Sequence, residues 1–134
     1  MSESLPRLTR FADGITAVDT EYVRPQMDAS HVVAVGSRAA IVDTGPNTAV
    51  PLILAALDEL QIPRDSVEYL FLTHVHLDHA GGAGLLMQNL PRAKLVPSRA
   101  VLWKATRLPS WLQASSPFWP WPAVSMRTAR VVRS

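Results

Sequence analysis

One short stretch of this 134-residue chain, Thr73 to Gly82, constrains its fold and chemistry more than any other. Within six residues it holds three of the four histidines, His74, His76 and His79, with Asp78 just before the last. Imidazole and carboxylate groups together suit a divalent metal such as zinc. A lone histidine beside a turn would more often be an ordinary surface residue. This density of ligand types instead predicts a metal site.

The sequence on either side of this stretch predicts a rigid support for it. Val67 to Thr73 is an apolar run rich in β-branched and aromatic residues, which is typical of a buried strand. Gly81 and Gly82, followed by a further apolar segment, predict a turn that opens a helix. We therefore expect the candidate ligands on a loop between a strand and a helix, where functional residues are commonly found.

The spacing of the candidate ligands leaves two arrangements open. His74 and His76 are two residues apart, so in an extended segment both imidazoles project to the same side. Asp78 and His79 are adjacent, and a bend in the chain lets them point into a neighbouring position. The four side chains could thus serve two metals in pairs. Alternatively, Asp78 could act as a base for the water on a single metal.

Two motifs together resemble the metallo-β-lactamase-fold hydrolases, the superfamily that includes glyoxalase II. One is Thr73 to Gly82, and the other is Ala40 to Pro46, which matches the strand and turn before the first helix of that family. The resemblance covers about residues 5–97, with both motifs in the family's order and spacing. It implies an α/β fold, namely the first half of an αββα sandwich, with the C-terminal half missing or replaced.

The resemblance also implies roles for individual residues. The counterparts of His74 and His76 bind one metal together with a later histidine. Those of Asp78 and His79 bind a second metal with a bridging aspartate and another histidine further on. Asp43 matches a residue that supports the site without binding the metal. From its position at a strand end alone, Asp43 could equally serve turn chemistry or the orientation of a ligand.

The patterning of residues 1–97 predicts two hairpins followed by alternating helices and strands. The predicted strands are Arg7–Phe11, Ile15–Val18, His31–Val35, Ala39–Val42, Val67–Thr73 and one from Lys94, and the predicted helices are Asn47–Leu60 and Leu85–Leu90. His31, the fourth histidine, opens a strand away from the motif and is expected to be structural. Tyr22 and Met27 lie in a polar irregular segment and are weak candidates for the border of a substrate pocket.

The C-terminal part of the sequence has a different composition. Residues 1–79 carry five basic and eleven acidic residues, a formal charge of −6, whereas residues 80–134 carry eight basic and no acidic residues, a formal charge of +8. All four tryptophans follow residue 102. We therefore divide the chain into half of a metallo-β-lactamase-like domain, residues 1–97, and an atypical basic tail rich in Trp and Pro, residues 98–134.

Three interpretations of this tail compete. Arg and Trp together could bind nucleic acid or anchor the chain at a membrane surface. The third is that residues 98–134 are disordered or translated in a shifted reading frame. We favour a shifted frame because GC-rich codons read out of phase tend to lose acidic residues and gain Trp, Pro and Arg. On that interpretation neither nucleic acid nor membrane is a partner. Since no histidine or aspartate follows His79, we expect metal binding to be weak or absent.

The remaining expectations concern function and location. The absence of cysteine excludes disulfides and thiolate ligands, and no signal peptide or long apolar run is present, so a cytoplasmic protein is expected. The resemblance implies a hydrolase with one or two zinc ions, or iron or manganese instead, acting on a small ester, thioester or lactone. Asp78 would position the water or take its proton. The alternatives are an iron-dependent sulfur oxidoreductase of the same fold and a truncated remnant without activity.

Overall fold

The computed structural model describes residues 6–98, so all but Ser98 of the predicted tail lies outside the described residues. The strands are β1 (Leu8–Arg10), β2 (Ile15–Asp19), β3 (Ala29–Val35), β4 (Arg38–Val42), β5 (Val67–Leu72) and β6 (Lys94–Pro97), and the helices are α1 (Val50–Glu59), α2 (Leu77–Ala80) and α3 (Ala83–Asn89). None of the helices in this part of the chain is long and apolar enough to cross a membrane.

The six strands form one mixed sheet in the order of the chain, β1 to β6. Strands β1 to β4 pair antiparallel, which confirms the two predicted hairpins. Their turns use Asp13 and Gly14, at φ 60° and 74°, and Gly36, at φ 59°, a backbone region that suits hairpin turns. Strands β5 and β6 each join their predecessor in parallel, as the predicted alternation with helices requires.

A single apolar core holds α1 and α3 against one face of the sheet. Helix α1 buries Val50, Ile53, Ala56 and Leu57, which lie at helical spacing along one face. Leu54 and Leu60 are only partly buried at the margin of the core. The strands contribute alternate side chains to the same cluster, namely Val18, Val32, Ile41, Leu70 and Leu72. This packing fixes the carboxyl ends of β4 and β5 side by side.

Candidate metal centre

The histidine stretch begins at the carboxyl end of β5 and changes conformation at its middle. Residues 73–76 are irregular, whereas Leu77–Ala80 form the short helix α2. The expectation of a loop is therefore wrong for the second half. The helical turn forms because the amides of His79 and Ala80 both donate to the carbonyl of His76, at 3.0 and 2.8 Å. Asp78 and His79 are consequently held on a helical turn.

Backbone hydrogen bonds lock this helical turn to the segment that follows β4. The Thr44 amide donates to the His79 carbonyl at 2.7 Å, and the Gly82 amide donates to the Gly45 carbonyl at 2.8 Å. Gly82 has no room for a side chain, because a Cβ atom there would lie 2.8 Å from a methyl group of Val50. The two motifs of the sequence thus form one rigid unit.

Asp43 lies at the centre of this unit. Its backbone has a φ of 57°, a left-handed conformation that aspartate tolerates better than most residues. The Ser30 hydroxyl donates to its carbonyl at 2.8 Å. The carboxylate accepts hydrogen bonds from the Thr73 amide at 2.8 Å and the Thr73 hydroxyl at 2.6 Å, and Oδ2 lies 3.1 Å from Nδ1 of His79.

These contacts favour an orienting role for Asp43. One oxygen of Asp43, Nδ1 or Nε2 of His74 and a nitrogen of His79 lie within 4.8 Å of one another, so distance alone would allow them to share a metal. The Asp43 oxygens, however, are already engaged by Thr73 and His79. A carboxylate that fixes a histidine in this way is typical of the surroundings of protein metal sites. The implied supporting role of Asp43 stays a prediction that this geometry favours.

With Asp43 ionised, the same hydrogen bonds favour one tautomer of each histidine. An ionised carboxylate only accepts, so Nδ1 of His79 donates to Asp43 and leaves Nε2 with its lone pair. The single proton of the Thr73 hydroxyl goes to Asp43, so that hydroxyl accepts from Nδ1 of His74, 2.8 Å away. The two rings lie 3.8 Å apart between centroids. Both therefore present a free Nε2, the form that binds metals.

A second group of ligand atoms lies on the other side of His79. Its Nε2 atom lies 3.5 Å from Oδ2 of Asp78 and 3.9 Å from Oδ2 of Asp28. One ligand atom from each of these three residues falls within 4.8 Å of the others. Asp28, in the segment before β3, was missed in the sequence because no motif surrounds it. Only the return of the chain from β2 to β3 brings it to this position.

The donor set of both groups fits a divalent cation. It contains imidazole nitrogen and carboxylate oxygen, which zinc, iron and manganese all accept. Oδ2 of Asp28 is buried without a hydrogen-bond partner among the described residues. Within residues 6–98, the ion pairs of Asp28, Asp43 and Asp78 are made with His79 alone. Three carboxylates around one imidazole leave an excess of negative charge that a bound cation would balance.

The other two histidines lie outside both groups. His76 is exposed, and its ring packs edge-on against His74 with 4.8 Å between centroids. His31 lies within β3, where it pairs with Ala17 and Val42. The structure thus joins His74, Asp78 and His79 to these groups but leaves His76 apart. The ligand roles implied for all four residues stay predictions.

The two candidates for a substrate border lie near the segment that carries Asp28. Tyr22 is half-buried and Met27 is exposed. Met27 lines a shallow cleft of about 400 Å³ together with Asp28 and Asp19, but none of the histidines lines that cleft. A border role for Tyr22 and Met27 stays a prediction.

Comparisons with known proteins bear on the family and the fold of this chain. The sequence profile of the Metallo-beta-lactamase superfamily matches residues 24–124. A search of curated proteins gave no significant match. A metallo-beta-lactamase with a HARLDQ motif from Cronobacter sakazakii is similar at 23% identity and a TM-score of 0.62, over 75% of this chain and 38% of that chain.

Two further solved structures are similar to this chain. FEZ-1 from Legionella gormanii shares 23% identity with a TM-score of 0.58, over 71% of this chain and 34% of that one. MIM-1 from Novosphingobium pentaromativorans shares 27% identity with a TM-score of 0.56, over 69% and 32%.

The coverage of these structures shows what this chain contains. It spans only about a third of each similar protein, and its mixed six-stranded sheet with helices on one face is a partial metallo-β-lactamase fold. The predicted fold class is confirmed. With the family profile matching most of its length, the chain belongs to the Metallo-beta-lactamase superfamily.

Proposed function

We propose that this chain acts as a metal-dependent hydrolase that uses an activated water to cleave a small ester, thioester or lactone. The observation that carries the proposal is the pair of histidines with free Nε2 atoms. Nδ1 of His79 is held by Asp43 and Nδ1 of His74 by Thr73, and Asp78 lies beside His79. Neutral imidazoles of fixed orientation next to carboxylates are what catalytic metal sites require.

His74, Asp78 and His79 would hold the metal, with His76 as a further ligand implied by the family. Zinc is the proposed cation, in one or two copies, with iron or manganese as substitutes that the same donors accept. When bound, such a cation lowers the pKa of a coordinated water to about 7 and polarises a carbonyl oxygen.

The residues of the chain then have distinct tasks. Asp78 is about one-third exposed and next to Nε2 of His79, so it can position a water or take its proton while remaining accessible to a substrate. Asp43 and Thr73 keep the two imidazoles oriented. The rigid junction between the β4 and β5 loops limits the motion of these groups during the reaction.

The test is hydrolysis by the full 134-residue chain loaded with zinc, using an aryl ester, a thioester and a lactone. A β-lactam completes the panel because the similar solved structures are metallo-beta-lactamases. We expect turnover of an ester-type substrate that a chelator abolishes and added zinc restores. Hydrolysis by the zinc-loaded chain separates this hydrolase from an iron-dependent oxidoreductase, and elemental analysis identifies the metal in the purified chain.

A matched pair of histidine variants supplies the control. His79→Gln should abolish the turnover, whereas His31→Gln, within β3 and outside both ligand groups, should leave it unchanged. Failure of every ester-type substrate with zinc, manganese and iron in turn would contradict the proposal.

A further inference from the structure

We propose that Asp28 is a direct ligand of a divalent metal, which it binds together with Asp78 and His79. This inference rests on the proposed metal-dependent function and adds to it a residue from outside both sequence motifs. Asp28 lies at the end of the segment that links β2 to β3, 50 residues before Asp78. Its assignment comes from where the fold brings its carboxylate.

The separations of the three ligand atoms suit a shared metal. Two ligands at ordinary zinc distances in a tetrahedral site lie about 3.4 Å from each other. Nε2 of His79 is 3.5 Å from Oδ2 of Asp78 and 3.9 Å from Oδ2 of Asp28. Small side-chain adjustments would bring all three atoms onto one cation.

The environment of Asp28 gives an independent reason for a cation. Its Oδ1 atom accepts a hydrogen bond from the Ala29 amide at 2.8 Å. Its Oδ2 atom is buried and has no hydrogen-bond partner in the described part of the chain. A buried carboxylate oxygen without a partner is costly and rare in native proteins. A metal at this position would satisfy it.

A protonated His79 would not serve Asp28 in the same way. Its Nδ1 proton is directed at Asp43, and a proton on Nε2 could be directed at only one of the two remaining carboxylates. The distance of 3.9 Å from Nε2 to Asp28 is too long for a hydrogen bond. A cation has no such directional limit and can contact both carboxylates at once.

The backbone holds Asp28 in place for this task. Its carbonyl accepts two hydrogen bonds from Thr20, from the amide at 3.1 Å and from the hydroxyl at 3.0 Å. The segment between Thr20 and Asp28 is closed by Asp19, whose carboxylate accepts hydrogen bonds from the amides of Glu21 and Gln26 at 2.9 and 2.8 Å. A carboxylate fixed before the metal arrives needs little ordering on binding.

Asp28 also changes the number of ligands in this group. Asp78 and His79 alone provide two. With Asp28 the count becomes three, the number that protein usually supplies to a catalytic zinc. The sequence-based expectation of weak or absent metal binding counted only ligands from the histidine stretch onwards. Asp28 lies before that stretch in the chain.

The first test is a competition titration of the full chain with zinc and a chromophoric chelator. Asp28→Asn keeps an oxygen that can accept from the Ala29 amide but removes the charge. Asp58→Asn is the matched control, because the Asp58 side chain is largely exposed on α1 and, within residues 6–98, forms only a 3.7 Å ion pair with Arg64. We expect zinc affinity to fall at least about tenfold in Asp28→Asn and to stay unchanged in Asp58→Asn.

The second test reports ligation directly. The chain contains no cysteine, so in Asp28→Cys any thiolate-to-metal charge-transfer band with cobalt(II) must arise from position 28. We expect that band to appear on addition of one equivalent of cobalt and to be absent in the unaltered chain. Circular dichroism of each variant separates loss of binding from loss of folding.

The outcomes separate this inference from the proposed function. Equal zinc affinity in the two asparagine variants, with no charge-transfer band in Asp28→Cys, overturns the role of Asp28 and leaves the hydrolase proposal standing. Weakened binding in Asp28→Asn, in a zinc-loaded chain that hydrolyses no substrate, supports Asp28 and overturns the hydrolase. A folded, unaltered chain that binds no zinc overturns both.

Discussion

His79 and His76 lie three positions apart in one motif, yet the fold treats them differently. His79 belongs to α2, is about one-quarter exposed, and has Asp43 on one side of its ring and Asp28 and Asp78 on the other. His76 is exposed, and its ring packs edge-on against that of His74. One histidine thus has its orientation fixed by the fold, while the other does not.

The difference teaches that the motif is completed by contacts with distant parts of the chain. Around His79 those contacts come from the end of β4, through Asp43, and from the segment before β3, through Asp28. Within residues 73–76 the hydrogen bonds of this kind belong to Thr73, whose amide and hydroxyl donate to Asp43 and whose carbonyl accepts from the Ser98 hydroxyl at 2.6 Å. We expect the affinity that each histidine contributes to a metal to depend on these supporting contacts as much as on its being a histidine.

The largest expected effect comes from replacing the two histidines separately. His79→Gln should weaken zinc binding by about a hundredfold, because it removes the ligand shared by both groups of the site. His76→Gln should weaken it by less than about tenfold, because this exposed ring lies in neither group. The measurement is a zinc competition titration of folded protein. Equal losses in the two variants would show that the contrast between the histidines has no bearing on binding.

The sequence predicts the strands and the long helix around the site better than it predicts the local contacts that distinguish His79 from His76. The hairpins and α1 follow from local signals, such as Asp13-Gly14 and the spacing of Val50, Ile53 and Leu57. Helix α2 gave no such signal, since four residues are too few to show a period. It forms because the His76 carbonyl accepts from two following amides, a detail of backbone geometry.

The residues of the site likewise differ in how far the sequence predicts their roles. The choice of Asp43 was possible because it ends a strand in a recognisable motif, although turn chemistry remained an equal alternative. Thr73 is the first residue of the histidine stretch, but its hydroxyl reaches Asp43 only because β4 and β5 lie side by side. Asp28 depends on the path from β2 to β3, which contains non-glycine residues at positive φ, including Val23 at 61°. Propensities do not predict such backbone conformations.

A smaller effect is expected from Thr73, whose hydroxyl lies between His74 and Asp43. Thr73→Val keeps the shape but removes the hydroxyl that accepts from His74 and donates to Asp43. We expect zinc affinity to fall about tenfold and the free energy of unfolding to fall by about 1 kcal/mol. In the metal-free chain, nitrogen chemical shifts should show His74 losing its preference for the Nδ1 proton. Thr73→Ser keeps the hydroxyl and should behave like the unaltered chain, and a valine variant with that same behaviour would break the proposed link.

The smallest effect is expected at the opposite end of β4 and β5, away from both histidines. There the Arg38 guanidinium donates two hydrogen bonds to the Glu68 carboxylate, at 3.0 and 2.6 Å. These hydrogen bonds lower the pKa of Glu68 and raise that of Arg38. Arg38 stays charged throughout the usable pH range, so Glu68 alone titrates.

The sign of the pH dependence follows from the lowered pKa of Glu68. The pair stabilises the fold above a pH of about 4.3, the ordinary value for glutamate, and that contribution disappears as the pH falls through the lower folded value. Thermal unfolding of the metal-free chain from pH 7 to pH 3 should therefore show a weaker acid dependence in Glu68→Gln. The stabilisation that this ion pair contributes is small because both side chains contact solvent. Zinc affinity at pH 7 should not change, since this end of the sheet contributes no ligand. A loss of zinc affinity in Glu68→Gln would mean that metal binding depends on overall scaffold stability, and the contrast between His79 and His76 could then not be attributed to their local contacts.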